Sequence, residues 1–110
     1  MKKECLGKFV KIFIDESDRW RGHSLSSSII KELKKHNVVG ATIIRGVEGF
    51  GQNHKMHSEF IEVLSRDLPM VIEIIDESSK IDEIVTAIEP MVEDGCIAII
   101  DNVKLINCLK

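Results

Sequence analysis

From Lys8 to Ile14 the chain alternates, with Val10, Ile12 and Ile14 on one side of an extended backbone and Phe9, Lys11 and Phe13 on the other. The period then changes. Leu25, Ile29, Ile30, Leu33 and His36 recur at helical spacing on one stripe; Ser24 is placed as the N-cap and Asn37 to Gly40 as the stop. Gly40 to Arg45 is a short β-rich run, and Leu68 to Ile75 gives a third strand. Ile81, Ile84, Val85, Ile88 and Val92 form a second helical stripe. Ser79 stands where a cap is needed, Asp82 follows at the third position, Pro90 should bend or shorten the last turn, and Gly95 should end the helix. Cys96 to Ile100 is the fourth strand.

The order β-α-β-β-α-β predicts an α+β, ferredoxin-like sandwich, in which two right-handed βαβ units place four strands in one antiparallel sheet with both helices on one side. The uncovered side would carry Phe13, Val71 and Ile75 beside Lys11 and Glu73. That face is too apolar for full hydration, so a homo-oligomer is expected. The two halves echo each other. Ile14-Asp15-Glu16-Ser17 recurs 61 residues later as Ile75-Asp76-Glu77-Ser78, whereas Gly40 and Gly95, which close the two helices in this reading, are 55 apart. The six extra residues of the first half correspond to Asp18 to His23, which hold the only tryptophan, Trp20, between Arg19 and Arg21. Two guanidinium groups at the start of a helix make a candidate anion site, with ordinary surface ion pairs as the alternative.

With 110 residues the chain suits one domain, a single module over 1–110. Apolar residues make up 44% and charged residues 30% of it, both signs are mixed, and the net charge is -3. That balance argues against general binding to nucleic acid, which needs a positive field. The stretch Lys31 to Lys35 is read as the solvated face of the first helix. No apolar run approaches the roughly 20 residues needed to span a bilayer, so a cytoplasmic protein is expected. Cys5, Cys96 and Cys108 are odd in number and widely spaced, which suggests reduced thiols; Cys96, next to Ile97, is expected to be buried.

Strands two and three are joined by about twenty residues, where a hairpin needs roughly 2–5. Gly46 to Ser58 has the composition of an excursion. Gly46, Gly49 and Gly51 permit positive φ and let N–H groups converge on an anion, while a mobile hairpin that binds nothing would have similar glycines. Mobility without ligand and protection on binding are expected.

Gly49-Phe50-Gly51-Gln52, then His57-Ser58-Glu59, then Leu68-Pro69 leading into Val71 to Ile75 resembles the T-loop and following strand of the PII signal-transduction proteins. Glu93-Asp94-Gly95 is similar to their B-loop. Glu16-Ser17-Asp18-Arg19-Trp20, Gly40-Ala41-Thr42 and Arg45-Gly46-Val47-Glu48-Gly49-Phe50-Gly51 together resemble, over nearly the whole chain, an uncharacterised bacterial and archaeal PII-like family known as a domain of unknown function. The resemblance implies a homotrimer with sheets facing inward, ligand sites in the clefts between subunits, and T-loops projecting toward a protein partner. ATP, ADP or AMP is the implied ligand. Gly49, Gly51 and Gln52 would then lie at the T-loop base, and Gly95 would offer a B-loop backbone contact. The chain departs from the PII pattern where Cys96 replaces the lysine after the B-loop glycine, and where Asn107-Cys108-Leu109 stands in place of C-terminal arginines. Arg19, Arg21 and Arg45 are the cations available to replace them, and Trp20 either covers an apolar edge or stacks on a base.

A second function class is a divalent-metal module, in which His54 and His57, three apart on the excursion, are joined by His23. His36 belongs to the packed helix stripe. A small enzyme is a third class, with Glu48 and His57 as base and acid. No nucleophile stands beside a recognisable base and orienter, so no catalytic residue is assigned. A PII-like regulatory or sensor protein is the reading that accounts for most of the chain.

Overall fold

The computed structural model describes residues 3–49 and 67–108. Strand β1 (Glu4–Asp15) is followed by two short strands, β2 (Arg19–Trp20) and β3 (His23–Ser24), and by helix α1 (Leu25–Lys35). Strands β4 (Gly40–Arg45) and β5 (Pro69–Glu77), helix α2 (Ser78–Ile88), a 3-10 turn (Glu89–Met91) and strand β6 (Cys96–Ile106) complete it.

The main sheet has the order β4-β5-β1-β6 with every neighbouring pair antiparallel, which is the ferredoxin-like arrangement. The alternation in β1 determines its two faces: Val10, Ile12 and Ile14 are buried under the helices, together with Ile72 and Ile74 of β5. The helices add Leu25, Ile29 and Leu33 from α1 and Ile81, Ile84 and Ile88 from α2, closing one core. On the other face Phe13 retains 44% exposure, Ile44 45% and Ile100 51%, and Lys11 pairs with Glu73 at 3.5 Å. The half-apolar uncovered face is therefore present in the protomer.

Local chemistry explains the element ends. The Ser24 hydroxyl accepts a hydrogen bond from Ser27 N–H at 3.4 Å, so the cap of α1 falls where the sequence puts it. Asn37 has φ 57 and stops the helix. Helix α2 begins two residues earlier than expected, at Ser78 with Glu77 in place of Ser79 as the N-cap, and Glu77 makes no side-chain capping bond. It ends at Ile88, not near Gly95, because Pro90 lies in the 3-10 turn that follows. The buried carboxylate of Asp76 accepts from Val39 N–H at 3.0 Å and from Glu77 N–H at 2.7 Å, holding the turn before β4 to the end of β5. Cys96 is exposed, a correction to the sequence reading, because it pairs opposite Phe13 on the uncovered face. No helix among the described residues is long and apolar enough to cross a membrane.

Candidate functional site

The topology brings four element ends to one place. β1 ends at Asp15, opposite Pro69 at the start of β5; β4 ends at Arg45, opposite Met70; and β6 begins at Cys96, opposite Phe13. The six extra residues of the first half leave β1 at this end. They form a hairpin in which Arg19 pairs with Ser24 and Trp20 with His23. Arg21 has φ 50 and Gly22 φ 82, and positive φ at both central residues is the mark of a type I′ turn. The sequence concealed this hairpin because Arg-Gly lacks the Asn-Gly or Asp-Gly signal.

Both ends of the long excursion are anchored here. Gly46 N–H donates to Pro69 O at 2.7 Å, Glu16 N–H to Leu68 O at 2.9 Å, and Ser17 N–H to the Asp67 carboxylate at 3.2 Å. Gly49 lies against Pro69, where an added Cβ would be 3.1 Å from the ring. Asp18 organises the hairpin entry: its carboxylate accepts from Asp15 N–H at 2.9 Å and its carbonyl from Leu25 N–H at 2.9 Å.

Arg45 is not a free cation. Its guanidinium is ion-paired with Glu16 Oε2, while Glu16 Oε1 is buried without a hydrogen-bond partner among the described residues. Glu16 is the residue at this end whose role could not be read in sequence, since nothing in its spacing pairs it with Arg45. Gly95 has a packing reason: a Cβ there would come within 2.4 Å of the Phe13 carbonyl oxygen and 2.9 Å of Val92. A hollow of 90 Å³ between the hairpin and the Glu93-Asp94 turn is walled by Asp18, Arg19, Trp20, Leu25 and Met91.

Arg21 turns away from that hollow. Its guanidinium lies 5.0 Å from the Trp20 ring centroid, on a separate groove of 440 Å³ along the helix layer. Lys31, Glu32 and Lys35 of α1 form its other wall, and Met91 and Pro90 its end. The lysines read in sequence as a merely solvated face thus line a concavity. Trp20, partly buried against the core, stands between the two spaces.

Gly51, Gln52, His54 and His57, and the excursion from residue 50 to 58, lie outside the described residues. Among the described residues no cluster of three or more His, Cys, Asp or Glu side chains could hold a metal ion. His36 bridges the helices instead, 3.3 Å from Glu32 and 3.5 Å from Glu83. Burial and the Glu77 carboxylate push the Cys5 thiol above its ordinary value, which suits an unreactive reduced thiol.

Comparison with known proteins agrees with this architecture. Two UPF0166 proteins from Aquifex aeolicus are 42% identical over 52 residues and 31% identical over 74 residues; the matches cover 47% and 67% of this chain and 54% and 70% of those proteins. The chain thus spans about half the length of the first of them. A UPF0166 protein of Methanocaldococcus jannaschii is 28% identical over 93 residues, covering 84% of this chain and 85% of its own. Among solved structures, CPII from Thiomonas intermedia K12, a nitrogen regulatory PII-like protein bound to ADP, AMP and bicarbonate, aligns with a TM-score of 0.69 at 17% identity, over 94% of this chain and 91% of that one. GlnK of B. subtilis aligns with a TM-score of 0.57 at 19% identity, over 96% and 100%. At such identities these likenesses show the fold, which is PII-like. The family model of DUF190, described as uncharacterized ACR, matches residues 7–105, and the chain belongs to that family.

Proposed function

We propose that the protein is a PII-like regulatory or sensor protein. It assembles as a homotrimer through the uncovered sheet face, binds a small anionic ligand in the clefts between subunits, and contacts a protein target through the Gly46 to Ser58 loop. An adenine nucleotide is the first candidate ligand. The observation that carries this reading is the convergence at one sheet end of the hairpin, the anchored base of the excursion with Arg45 and Gly49, and the turn that ends at Gly95. The binding of ADP and AMP by CPII, which shares the fold, supports the choice of ligand.

The charge of that end adds a condition. Asp15, Glu16, Asp18, Asp67, Glu93 and Asp94 gather there with Arg19 and Arg45, so one protomer presents a net negative field. A nucleotide bound there therefore needs compensating positive charge, and Mg²⁺ should strengthen its binding. Gly51 and Gln52 complete the loop base in this reading. Light scattering and calorimetric titration with ADP, with and without Mg²⁺, form the test. A trimer that binds ADP without turnover agrees with the proposal; a stable monomer at micromolar concentration removes the cleft and the proposal with it.

A further inference from the structure

We propose that the groove between the Arg19–Ser24 hairpin, α1 and the turn at Met91 is a second ligand site, complete within one subunit, for a small phosphorylated molecule that carries a flat ring. It is separate from the inter-subunit cleft: Trp20 and Met91 stand between this groove and the sheet-end hollow, while Arg21, Lys31, Glu32 and Lys35 line the groove and not the hollow. Its volume of 440 Å³ falls within the range of small-molecule sites.

Three cations face this space, Arg21, Lys31 and Lys35, against one carboxylate, Glu32. On a chain whose net charge is -3, that is a local reversal of sign. Glu32 lies 3.9 Å from Lys35, so that pair largely offsets itself and Arg21 and Lys31 are the cations in excess. Neither Arg21 nor Lys31 forms an ion pair with another described residue. Lys31 and Lys35 are one helical turn apart on the same face of α1, so their ammonium groups address the same stretch of groove.

The hairpin places the third cation independently. The positive φ of Arg21 is unusual for a residue with a Cβ, and the type I′ turn would be more easily made by Asn or Asp. An arginine kept in that conformation at the rim of a cationic groove is a backbone outlier that coincides with a charge holding no ion pair among the described residues. The apolar part of the groove, Trp20 with Met91 and Ala87, offers a surface for a ring, while the cations suit a phosphate. An acidic peptide would need charge matching but no ring; the aromatic wall favours the phosphorylated ring compound.

Trp20 is the only tryptophan, so its fluorescence reports on this wall without a label. The test is titration of the full chain with AMP, with adenosine and inorganic phosphate as probes that each lack one half. It is repeated on Lys31→Glu/Lys35→Glu, on the milder Lys31→Gln/Lys35→Gln, on Arg21→Gln and on Arg45→Gln, each checked for folding by circular dichroism. AMP should change the fluorescence and bind more tightly than either half. Affinity should fall roughly tenfold or more in the charge-reversed pair, and less in the glutamine pair and in Arg21→Gln. Binding that survives reversal of both lysines but is lost in Arg45→Gln would assign AMP to the sheet end, overturning the groove while leaving the cleft proposal intact. Absence of any AMP response at millimolar concentration would overturn the groove site outright, and ADP binding by the trimer would still be decided by calorimetry.

Discussion

On one side of Trp20, Asp18, Glu93 and Asp94 surround Arg19 around a hollow of 90 Å³; on the other, Arg21, Lys31 and Lys35 face Glu32 across 440 Å³. Both regions are fixed by backbone that the fold requires. The first is made by element ends, where β1, β4, β5 and β6 meet, and its position follows from topology alone. The second is made by side chains on the outer faces of a helix and a hairpin, and only its charge marks it. Connectivity thus shows where this kind of fold gathers its loops, whereas charge marks the groove that we propose as an anion site within one copy of the chain.

The largest disturbance should come from removing the wall the two regions share. Trp20→Ala takes away a partly buried indole packed on the core, and should cost about 2–3 kcal/mol, below the 3–5 typical of a fully buried aromatic. Thermal unfolding measures it, and Trp20→Phe should recover most of the loss. If the alanine variant melts like the parent, the wall is not structural.

Gly95→Ala should break the sheet end and spare the groove. Its Cβ would meet the Phe13 carbonyl oxygen at 2.4 Å, a clash with backbone that rotamers cannot relieve, and about 1–3 kcal/mol of destabilisation is expected. Retained binding of AMP in the folded variant, with weakened binding of ADP at the proposed cleft, would sharpen the division between the two sites.

Glu16→Gln acts on the same end in the other direction. It removes the carboxylate that neutralises Arg45 and leaves an amide of similar shape, so under the proposed function the affinity for ADP should rise roughly two- to fivefold, the scale of a partly exposed ion pair. Calorimetry decides, and a fall in affinity would mean that Glu16 positions Arg45 rather than competing for it.

The smallest effect concerns the frame behind both regions. Lys8 Nζ lies 2.6 Å from the Asp82 carboxylate, a bond that ties β1 to α2 and raises the lysine above its ordinary value of 10.5. Folding therefore favours the protonated amine. The contribution is fully present below 10.5 and is lost as pH rises through the raised folded-state value. Melting of Lys8→Met and of the parent, compared from neutral to strongly alkaline pH, should differ at neutrality and converge at the alkaline end. A difference that persists there would assign the effect to packing of the lysine stem.

The fold was legible where one physical signal dominated. Alternation in β1 and the stripe of α1 agree with the structure, as does Ser24 as the cap, because burial and capping point the same way there. Signals that compete were misread. Ser78 and Ser79 are adjacent, and α2 starts at the first of them with no side-chain cap. β6 was expected to end at Ile100 but continues to Ile106, because Asp101-Asn102, which reads as a turn, is passed within the strand with Asn102 at φ 56. The register against β1 shifts between Gly7 and Phe9 at the same level. At the candidate site, the extra segment around Trp20 was visible as a break in the internal echo. The ion pair of Glu16 with Arg45 was not, since it joins residues on different elements. Nor was the groove, because Lys31 and Lys35 become a wall only when the hairpin lies opposite them.

The most direct measurement is a crystal structure of the protein with AMP at saturating concentration. A nucleotide should lie beside Trp20 in every subunit, its phosphate about 2.7–2.9 Å from nitrogen atoms of Arg21 and of Lys31 or Lys35. An empty groove in such crystals, with AMP held only between subunits near Arg45 and Gly95, would contradict the groove site.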